Sequence, residues 1–171
     1  MVALVPGREC GECNACCSYF EILPELNKPS GKLCQHWKAG CGIYESRPGV
    51  CRDFFCFWLQ DAALGDDWRP DRSGFIVQET VSDIPAHFSI RKGLVFSLCG
   101  PDSAIASEHF IATVSDQVEK RVPVFLSVLG PGNVGTRTIL LSDDLTGPVL
   151  SRRRERIVAV LHTALATLRA A

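Results

Sequence analysis

Beyond residue 64 the order of apolar and polar positions predicts a mixture of strands and helices. Residues 75–81 alternate as a half-buried strand does. Residues 88–99 are typical of two short strands that meet in a hairpin turn at Lys92-Gly93. Residues 122–129 are apolar on both faces, which indicates a central strand. A further strand is predicted at residues 136–141, after a turn at residues 130–133.

Two helices complete this part of the chain. Asp102 or Ser103 is a suitable cap for a helix that runs to about Lys120. Ser151 is a suitable start for a last helix, and apolar side chains recur along both helices at the spacing of one face. These side chains are Ile111, Val114 and Val118 in the first helix and Ile157, Val160, Leu161, Ala164, Leu165 and Leu168 in the second. The predicted fold class is therefore α+β, a small mixed β-sheet with about two helices.

Residues 1–60 have a different character. Glycine and proline are frequent there, which leaves little room for long helices or strands. A segment of this kind needs a cross-link in place of an apolar core, and a bound metal supplies one. We therefore expect one domain over residues 1–171, with a metal-cluster segment at 1–60 packed on an α/β body at 61–171.

Charge and hydropathy narrow the functional classes. The chain is 46% hydrophobic and carries a formal net charge of −1, so it has no general attraction to nucleic acid or to an anionic membrane. The N-terminal residues lack the pattern of a secretory signal, and the longest apolar stretch falls short of the roughly 20 residues that span a bilayer. The sequence predicts a cytoplasmic protein that does not enter membranes.

Cysteine is the most informative residue type. The chain has nine cysteines, of which all but Cys99 precede Phe57. Because cytosolic thiols are kept reduced, such density points to metal ligands rather than disulfides. The candidate ligands are Cys10, Cys13, Cys16, Cys17, Cys34, Cys41, Cys51 and Cys56.

The spacing of these cysteines suggests two centres. Cys10, Cys13 and Cys16 are separated by two residues each, the chelate spacing of zinc and iron–sulfur sites. Cys17 follows Cys16 directly, and because neighbouring side chains diverge, we expect Cys17 to reach across to the later group, Cys34, Cys41, Cys51 and Cys56. Eight thiolates divide into two sets of four. Two zinc ions, or one iron–sulfur cluster and one zinc ion, would satisfy them.

The cysteine-rich part resembles a known family. It is similar to the bacterial YkgJ family of cysteine-cluster proteins, described as a zinc- or iron-chelating domain. Members are often labelled iron–sulfur oxidoreductases, and the domain looks like part of flagellin lysine N-methylases. The resemblance is carried by Cys10-x-x-Cys13-x-x-Cys16-Cys17, Cys34-x-His36, and the run from Cys41 through Tyr44, Glu45, Arg47, Pro48, Cys51, Arg52, Phe54 and Cys56 to Trp58, and it extends to Trp68-Arg-Pro-Asp-Arg72.

Several residues near the cysteines have more than one interpretation. His36 is either a metal ligand, a hydrogen-bond donor to a thiolate or an ordinary half-exposed histidine. Arg47 and Arg52 either offset the negative charge of the thiolates or bind loop carbonyl groups. Aromatic side chains either exclude water from the cluster or pack in an ordinary core; they are Trp37, Tyr44, Phe54, Phe55 and Trp58.

The remaining candidates have weaker signals. Cys99 ends a predicted strand and is interpreted as an inert core thiol. His87, His109 and His162 show no ligand pattern. The basic run at residues 152–156 is interpreted as the solvated first turn of the last helix.

Three functional hypotheses remain open. The first is a metal-binding protein whose centre is structural or carries electrons. The second is an enzyme, an iron–sulfur oxidoreductase or another cluster-dependent modifying enzyme, although no phosphate loop, dinucleotide fingerprint or other catalytic motif accompanies the cysteines. The third is a zinc module that binds another macromolecule. The first is preferred; neither a catalytic residue nor a protein partner is specified by the sequence.

Overall fold

The computed structural model describes residues 3–130, 133–134 and 137–170, and its centre is one mixed β-sheet. The strands follow the order β1-β2-β3-β4, and β5 also pairs with β3. Their bounds are Phe75–Thr80 for β1, Gly93–Leu98 for β2, Val124–Gly130 for β3, Asn133–Val134 for β4 and Ile139–Leu140 for β5. The predicted turn at 130–133 and the start of the predicted strand at 136–141 lie partly outside the described residues.

Strand pairing explains why the sheet is mixed. β1 pairs antiparallel with β2, Phe75 opposite Leu98, whereas β2 pairs parallel with β3, Leu94 opposite Val124. A parallel pair needs a long crossover, and a helix lies between β2 and β3 in the chain. Every side chain of β3 is buried, as its apolar sequence predicts. The α+β prediction is confirmed.

The predicted hairpin at Lys92-Gly93 is wrong. Gly93 opens β2 and lies opposite Thr80 of β1, so residues 81–92 form one connection between the two strands. Gly93 is not in a turn; it allows the backbone of Pro123 to lie very close to β2. A Cβ atom at Gly93 would lie 2.7 Å from the carbonyl oxygen of Pro123, and the neighbouring Leu94 N–H donates to that oxygen at 2.9 Å.

The first long helix begins later than the predicted caps. Asp102 and Ser103 belong to a 3-10 helix, Asp102–Ala106, and the α-helix runs over Glu108–Glu119. Ser107 caps it, since its hydroxyl accepts a hydrogen bond from the Phe110 N–H. This helix, α5 in chain order, buries the predicted apolar face, Ile111, Val114 and Val118.

Two further helices close the chain. The last one, α7, spans Arg154–Arg169 and begins after the predicted Ser151; of its predicted stripe all but the half-buried Val160 are buried. An unpredicted helix, α6, spans Ser142–Leu150. The sequence does not predict α6 because Gly147 and Pro148 both disfavour a helix interior. The helix forms nevertheless, and its Leu145 and Val149 side chains are buried. Within its described residues the body therefore has three long helices, α5, α6 and α7, where about two were predicted.

An aromatic cluster attaches the residues after the cysteines to the sheet. The rings of Phe75 and Phe110 stack at 4.3 Å between centroids, with Phe96 edge-on to both. Trp68 lies 5.5 Å from Phe96, and all four side chains are buried. Such aromatic pairs contribute about 0.5–1.5 kcal/mol each beyond the area they bury.

From residue 3 onward, the helices of the cysteine segment are short helical turns. These are α1 (Ala15–Tyr19), α2 (Gly49–Asp53), α3 (Phe57–Gln60), α4 (Pro70–Ser73) and the 3-10 helices Tyr44–Ser46 and Asp66–Trp68. α3 and α4 pack against β1 and so connect this loop-rich segment to the body. In the part of the chain that the structure describes, no helix combines the length and the apolar character needed to cross a membrane.

Two glycines bring α4 against the end of β2. Gly74 ends α4 in the left-handed conformation, with φ of +77°, and its carbonyl accepts hydrogen bonds from the N–H groups of Cys99 and Gly100 at 2.8 and 2.9 Å. A Cβ atom at Gly100 would lie 2.6 Å from the Gly74 Cα. Only glycine permits this approach, and it places Cys99 beside the residues of α4.

Candidate metal centre

The first four cysteines lie on a tight turn that leads into α1. The Cys13 N–H donates to the Cys10 carbonyl at 2.9 Å, and Gly11 between them has φ of +52°, a conformation that suits glycine. Cys16 and Cys17 then lie in α1. All four side chains are half-buried, so their thiols are neither sealed in the core nor fully solvated.

The later cysteines come from a long loop that folds back on α1. The Cys34 N–H donates to the Cys17 carbonyl at 2.9 Å, which joins the two segments. Cys41 forms an isolated bridge with Trp37, and Cys51 lies in α2. Cys34 is buried and Cys41 is exposed.

Electrostatic interactions between the thiols link cysteines that are distant in the sequence, and some of them cross between the two groups named below, since Cys17 and Cys41 both act on Cys10. Burial raises the pKa of Cys56 to about 11, and the charges of Cys10 and Cys13 add to that increase. Burial likewise raises the pKa of Cys51, where the added charges are those of Cys17, Cys34 and Cys41. We call Cys10, Cys13, Cys16 and Cys56 the N-terminal set, and Cys17, Cys34, Cys41 and Cys51 the loop set.

Cys56 is the unexpected member of this division. The sequence groups it with Cys34, Cys41 and Cys51, but the structure places it within electrostatic reach of Cys10 and Cys13. The backbone explains this position, because Cys56 immediately precedes α3, and the α3 residue Leu59 accepts a hydrogen bond from the Val5 N–H at 2.8 Å. The segment before Cys10 and α3 are therefore held side by side.

The two sets meet at Cys16 and Cys17. A hydrogen bond between these thiols is the main reason that the pKa of Cys16 is raised and that of Cys17 is lowered to about 7. The charge of Lys28 also lowers the pKa of Cys17. Adjacent side chains thus stay in contact instead of diverging as the sequence suggested.

The cations that act on the thiols include Arg47 and Lys28. Arg47 lowers the pKa of Cys10 and of Cys51, against the larger effect of burial, so it acts on one member of each set. Its guanidinium also lies 3.9 Å from the ring centroid of Tyr44. Lys28 is the second cation, and sequence reasoning missed it. Its signal in the sequence was only its place between Cys17 and Cys34.

The segment around Pro70 contacts the N-terminal set. Burial alone would raise the pKa of Asp71, but the Arg69 guanidinium, 2.7 Å away, and a hydrogen bond with Cys13 lower it below its usual range. Cys99 is half-buried nearby, and burial raises its pKa to about 12, with a further contribution from Cys13. Cys99 is therefore a largely shielded thiol at the edge of the N-terminal set.

The other predicted residues contribute less directly. His36 is half-buried and its Nε2 lies 3.4 Å from the Gln35 amide nitrogen. Arg52 is exposed. Among the aromatic residues, Trp58 belongs to the core and Phe54 lies edge-on to Phe20 at 4.8 Å, whereas Tyr44 is largely exposed. Packing thus accounts for Trp58 and Phe54.

The thiols interact electrostatically, but the described side chains do not form a complete coordination site. In residues 3–130, 133–134 and 137–170, no group of three or more His, Cys, Asp or Glu side chains is placed to hold a metal ion. All nine cysteines are free thiols. The donor chemistry nevertheless suits a thiophilic metal, since thiolate sulfur is the ligand that zinc and iron–sulfur clusters prefer.

Comparison with known proteins finds no match: no family model, no curated protein and no solved structure matches the chain.

Proposed function

We propose that this chain is a metal-binding protein that holds zinc, an iron–sulfur cluster or both through its eight N-terminal cysteine thiolates. The observation that carries the proposal is the approach of thiols from segments that are distant in sequence, Cys56 to Cys10 and Cys13 and Cys51 to Cys17 and Cys34. Cys10, Cys13 and Cys16 would share a centre with Cys56. Cys17 would share one with Cys34, Cys41 and Cys51.

Crowding of the thiols supports a cation between them. Burial, and after it the charges of neighbouring sulfurs, raise the pKa of Cys10, Cys13, Cys51 and Cys56, so the surroundings of these thiols disfavour their thiolate forms. A divalent ion reverses that balance, because metal ligation requires thiolates and releases protons.

The chemistry of such a centre follows from its ligands. Four thiolates suit a closed structural zinc site as well as an iron–sulfur cluster, which adds the capacity to carry an electron. The chain's own contribution is to bring the sulfurs together and to offset their charge through Arg47 and Lys28.

The family and the compartment belong to the same proposal. The motif from Cys10 to Trp58 resembles the YkgJ cysteine-cluster family, whose members are described as zinc- or iron-chelating. A reducing, cytoplasmic environment would keep the nine thiols available for metal. Metal ions are the proposed partners, and the balanced charge argues against nucleic acid.

Anaerobic purification followed by metal analysis and a visible spectrum tests the proposal. We expect stoichiometric zinc, or iron and sulfide with sulfur-to-iron absorption. Cys16→Ser and Cys17→Ser should each lose part of the metal, and the double variant should lose more than either. Cys99→Ser serves as the control that keeps all of it. Metal-free wild-type protein that also refuses added zinc and iron would contradict the proposal.

A further inference from the structure

Lys28 is a buried lysine in the loop that joins α1 to Cys34. Only 6% of its surface is exposed, whereas lysine is rarely buried to this extent unless it is paired. The backbone holds it there, because the N–H and carbonyl groups of Lys28 pair with those of Ile22 at 3.2 and 2.9 Å. The backbone pairing with Ile22 therefore holds the Lys28 side chain in a buried position.

Carbonyl oxygens satisfy the ammonium but do not neutralise it. Nζ donates to the carbonyl oxygens of Ser18 and Pro29, both at 3.3 Å, and to that of Phe20. An ammonium has three N–H donors, so its hydrogen bonds are complete. None of the ion pairs formed by the described residues includes Lys28. A buried charge without a counter-ion is costly. The carbonyl oxygens therefore do not explain by themselves how the charge of Lys28 is compensated.

The ionisable groups around this ammonium are thiols. Ser18, one of its carbonyl partners, follows Cys17 directly, and Cys34 is hydrogen-bonded to the Cys17 backbone. The cysteines with which Lys28 interacts electrostatically are Cys16, Cys17, Cys34 and Cys51. Three of these four belong to the loop set. Arg47 differs from Lys28 in acting on both sets, through Cys10 and Cys51.

We propose that Lys28 is the built-in counter-ion of the loop set and that it adapts this set to a divalent metal ion. The inference rests on the proposed metal-binding function. Four thiolates around a dication carry a net charge of −2, and one fixed ammonium halves it. Around a monovalent ion the same thiolates would carry −3, most of which Lys28 would leave uncompensated. Lys28 is a positioning and charge-balancing residue, and it is not a ligand.

Cadmium binding to Lys28 variants tests this role. Metal-free, reduced protein is titrated anaerobically with Cd²⁺, followed by sulfur-to-cadmium absorption, and the protected cysteines are identified by alkylation and mass analysis. Lys28→Met removes the charge and keeps the length of the side chain, whereas Lys28→Arg keeps the charge. Lys38→Met removes a charge from an exposed position in the same loop and is the matched control.

The expected result is specific to one set. Lys28→Met should weaken Cd²⁺ binding about 10–100-fold, the range for residues that support metal ligands. Alkylation protection should be lost at Cys17, Cys34, Cys41 and Cys51 and kept at Cys10, Cys13 and Cys56. Lys28→Arg and Lys38→Met should bind Cd²⁺ as the wild type does.

Other outcomes overturn the inference. Unchanged Cd²⁺ affinity in Lys28→Met shows that the ammonium does not balance the thiolates. Equal loss in Lys28→Met and Lys28→Arg, or loss of protection at all eight cysteines, shows that Lys28 only holds the loop together. Both results leave the proposed function standing, because the wild type still binds metal. A wild-type chain that binds no Cd²⁺ rejects the proposed function together with the role of Lys28.

Discussion

The guanidinium of Arg8 lies 5.1 Å from the ring centroid of Trp58 and donates to three carbonyl oxygens at the end of α3. Those carbonyls belong to Trp58, Asp61 and Leu64, at 2.5 Å for the first and 2.8 Å for the second. The last turn of a helix leaves carbonyl groups without partners, and a cation is favoured there. Arg8 therefore fastens the chain before Cys10 to the helix after Cys56.

Replacing Arg8 tests that connection. Arg8→Met keeps the apolar stem but removes the guanidinium, and we expect a loss of about 2–3 kcal/mol in the free energy of unfolding, since hydrogen bonds from charged groups contribute about 1.5–3 kcal/mol. Denaturant unfolding measures it. Arg156→Met, at an exposed position in α7, is the control and should change stability by no more than about 0.5 kcal/mol. Equal effects of the two substitutions would show that Arg8 adds nothing beyond surface charge.

Removing the metal should disorder the cysteine segment before the body. Residues up to 60 have little apolar core, whereas structural zinc contributes apparent binding free energies of about 10–16 kcal/mol in small domains. After chelation we expect fast hydrogen exchange before residue 60 and continued protection in β2 and β3, which are buried. If the cysteine segment exchanges at the same rate with and without metal, the centre has no structural role.

Cys17 should be the most reactive thiol of the metal-free protein near neutral pH. Its pKa is lowered to about 7 by the hydrogen bond with Cys16, so its thiolate forms as the pH rises through that value. A lowered pKa stabilises the fold above the unfolded value near 9, and this contribution is lost as the pH falls through about 7. Pulsed alkylation between pH 6 and 8 measures the reactivity. Cys56, with a pKa of about 11, is the slow internal control, and equal rates at the two sites would contradict the prediction.

Cys99 should be dispensable for metal. It lies at the edge of the N-terminal set but is half-buried, and its pKa is raised to about 12, chiefly by burial. Cys99→Ala should keep the wild-type metal content and cost about 1 kcal/mol of stability, the usual scale for a single substitution. The measurement is the metal content of Cys99→Ala compared with that of Cys56→Ala, which should lose metal. Loss of metal in Cys99→Ala would make it a ninth ligand.

His109 carries an unsatisfied polar atom in the aromatic cluster. Its Nε2 is buried without a hydrogen-bond partner, and its ring meets Trp68 edge-on at 5.1 Å. An unpaired buried polar group costs about 1–3 kcal/mol, so His109→Phe should leave stability unchanged or raise it by about 1 kcal/mol. His162→Phe, on an exposed face of α7, is the control. A loss above about 1 kcal/mol in His109→Phe alone would show that the imidazole has a partner in solution.

Local sequence signals determined the parts of this protein in which neighbours along the chain decide the outcome. The alternation at 75–81 produced β1, the apolar run before Leu129 produced the buried strand β3, and the stripe from Ile157 to Leu168 produced α7. The cysteine spacing identified the candidate ligands, because chelating turns are local structures. The same signals failed at Gly93, whose role is a contact with Pro123, 30 residues away.

Only the tertiary structure decided which thiols lie near one another. Cys56 joins Cys10 and Cys13 because Val5 and Arg8 bind α3, and Cys17 joins Cys34 through a backbone hydrogen bond across the loop. Lys28 acquired its place among the thiols in the same way, through pairing with Ile22. The physical reason is that electrostatic and coordinating interactions depend on distance in space, whereas a single sequence reports distance along the chain.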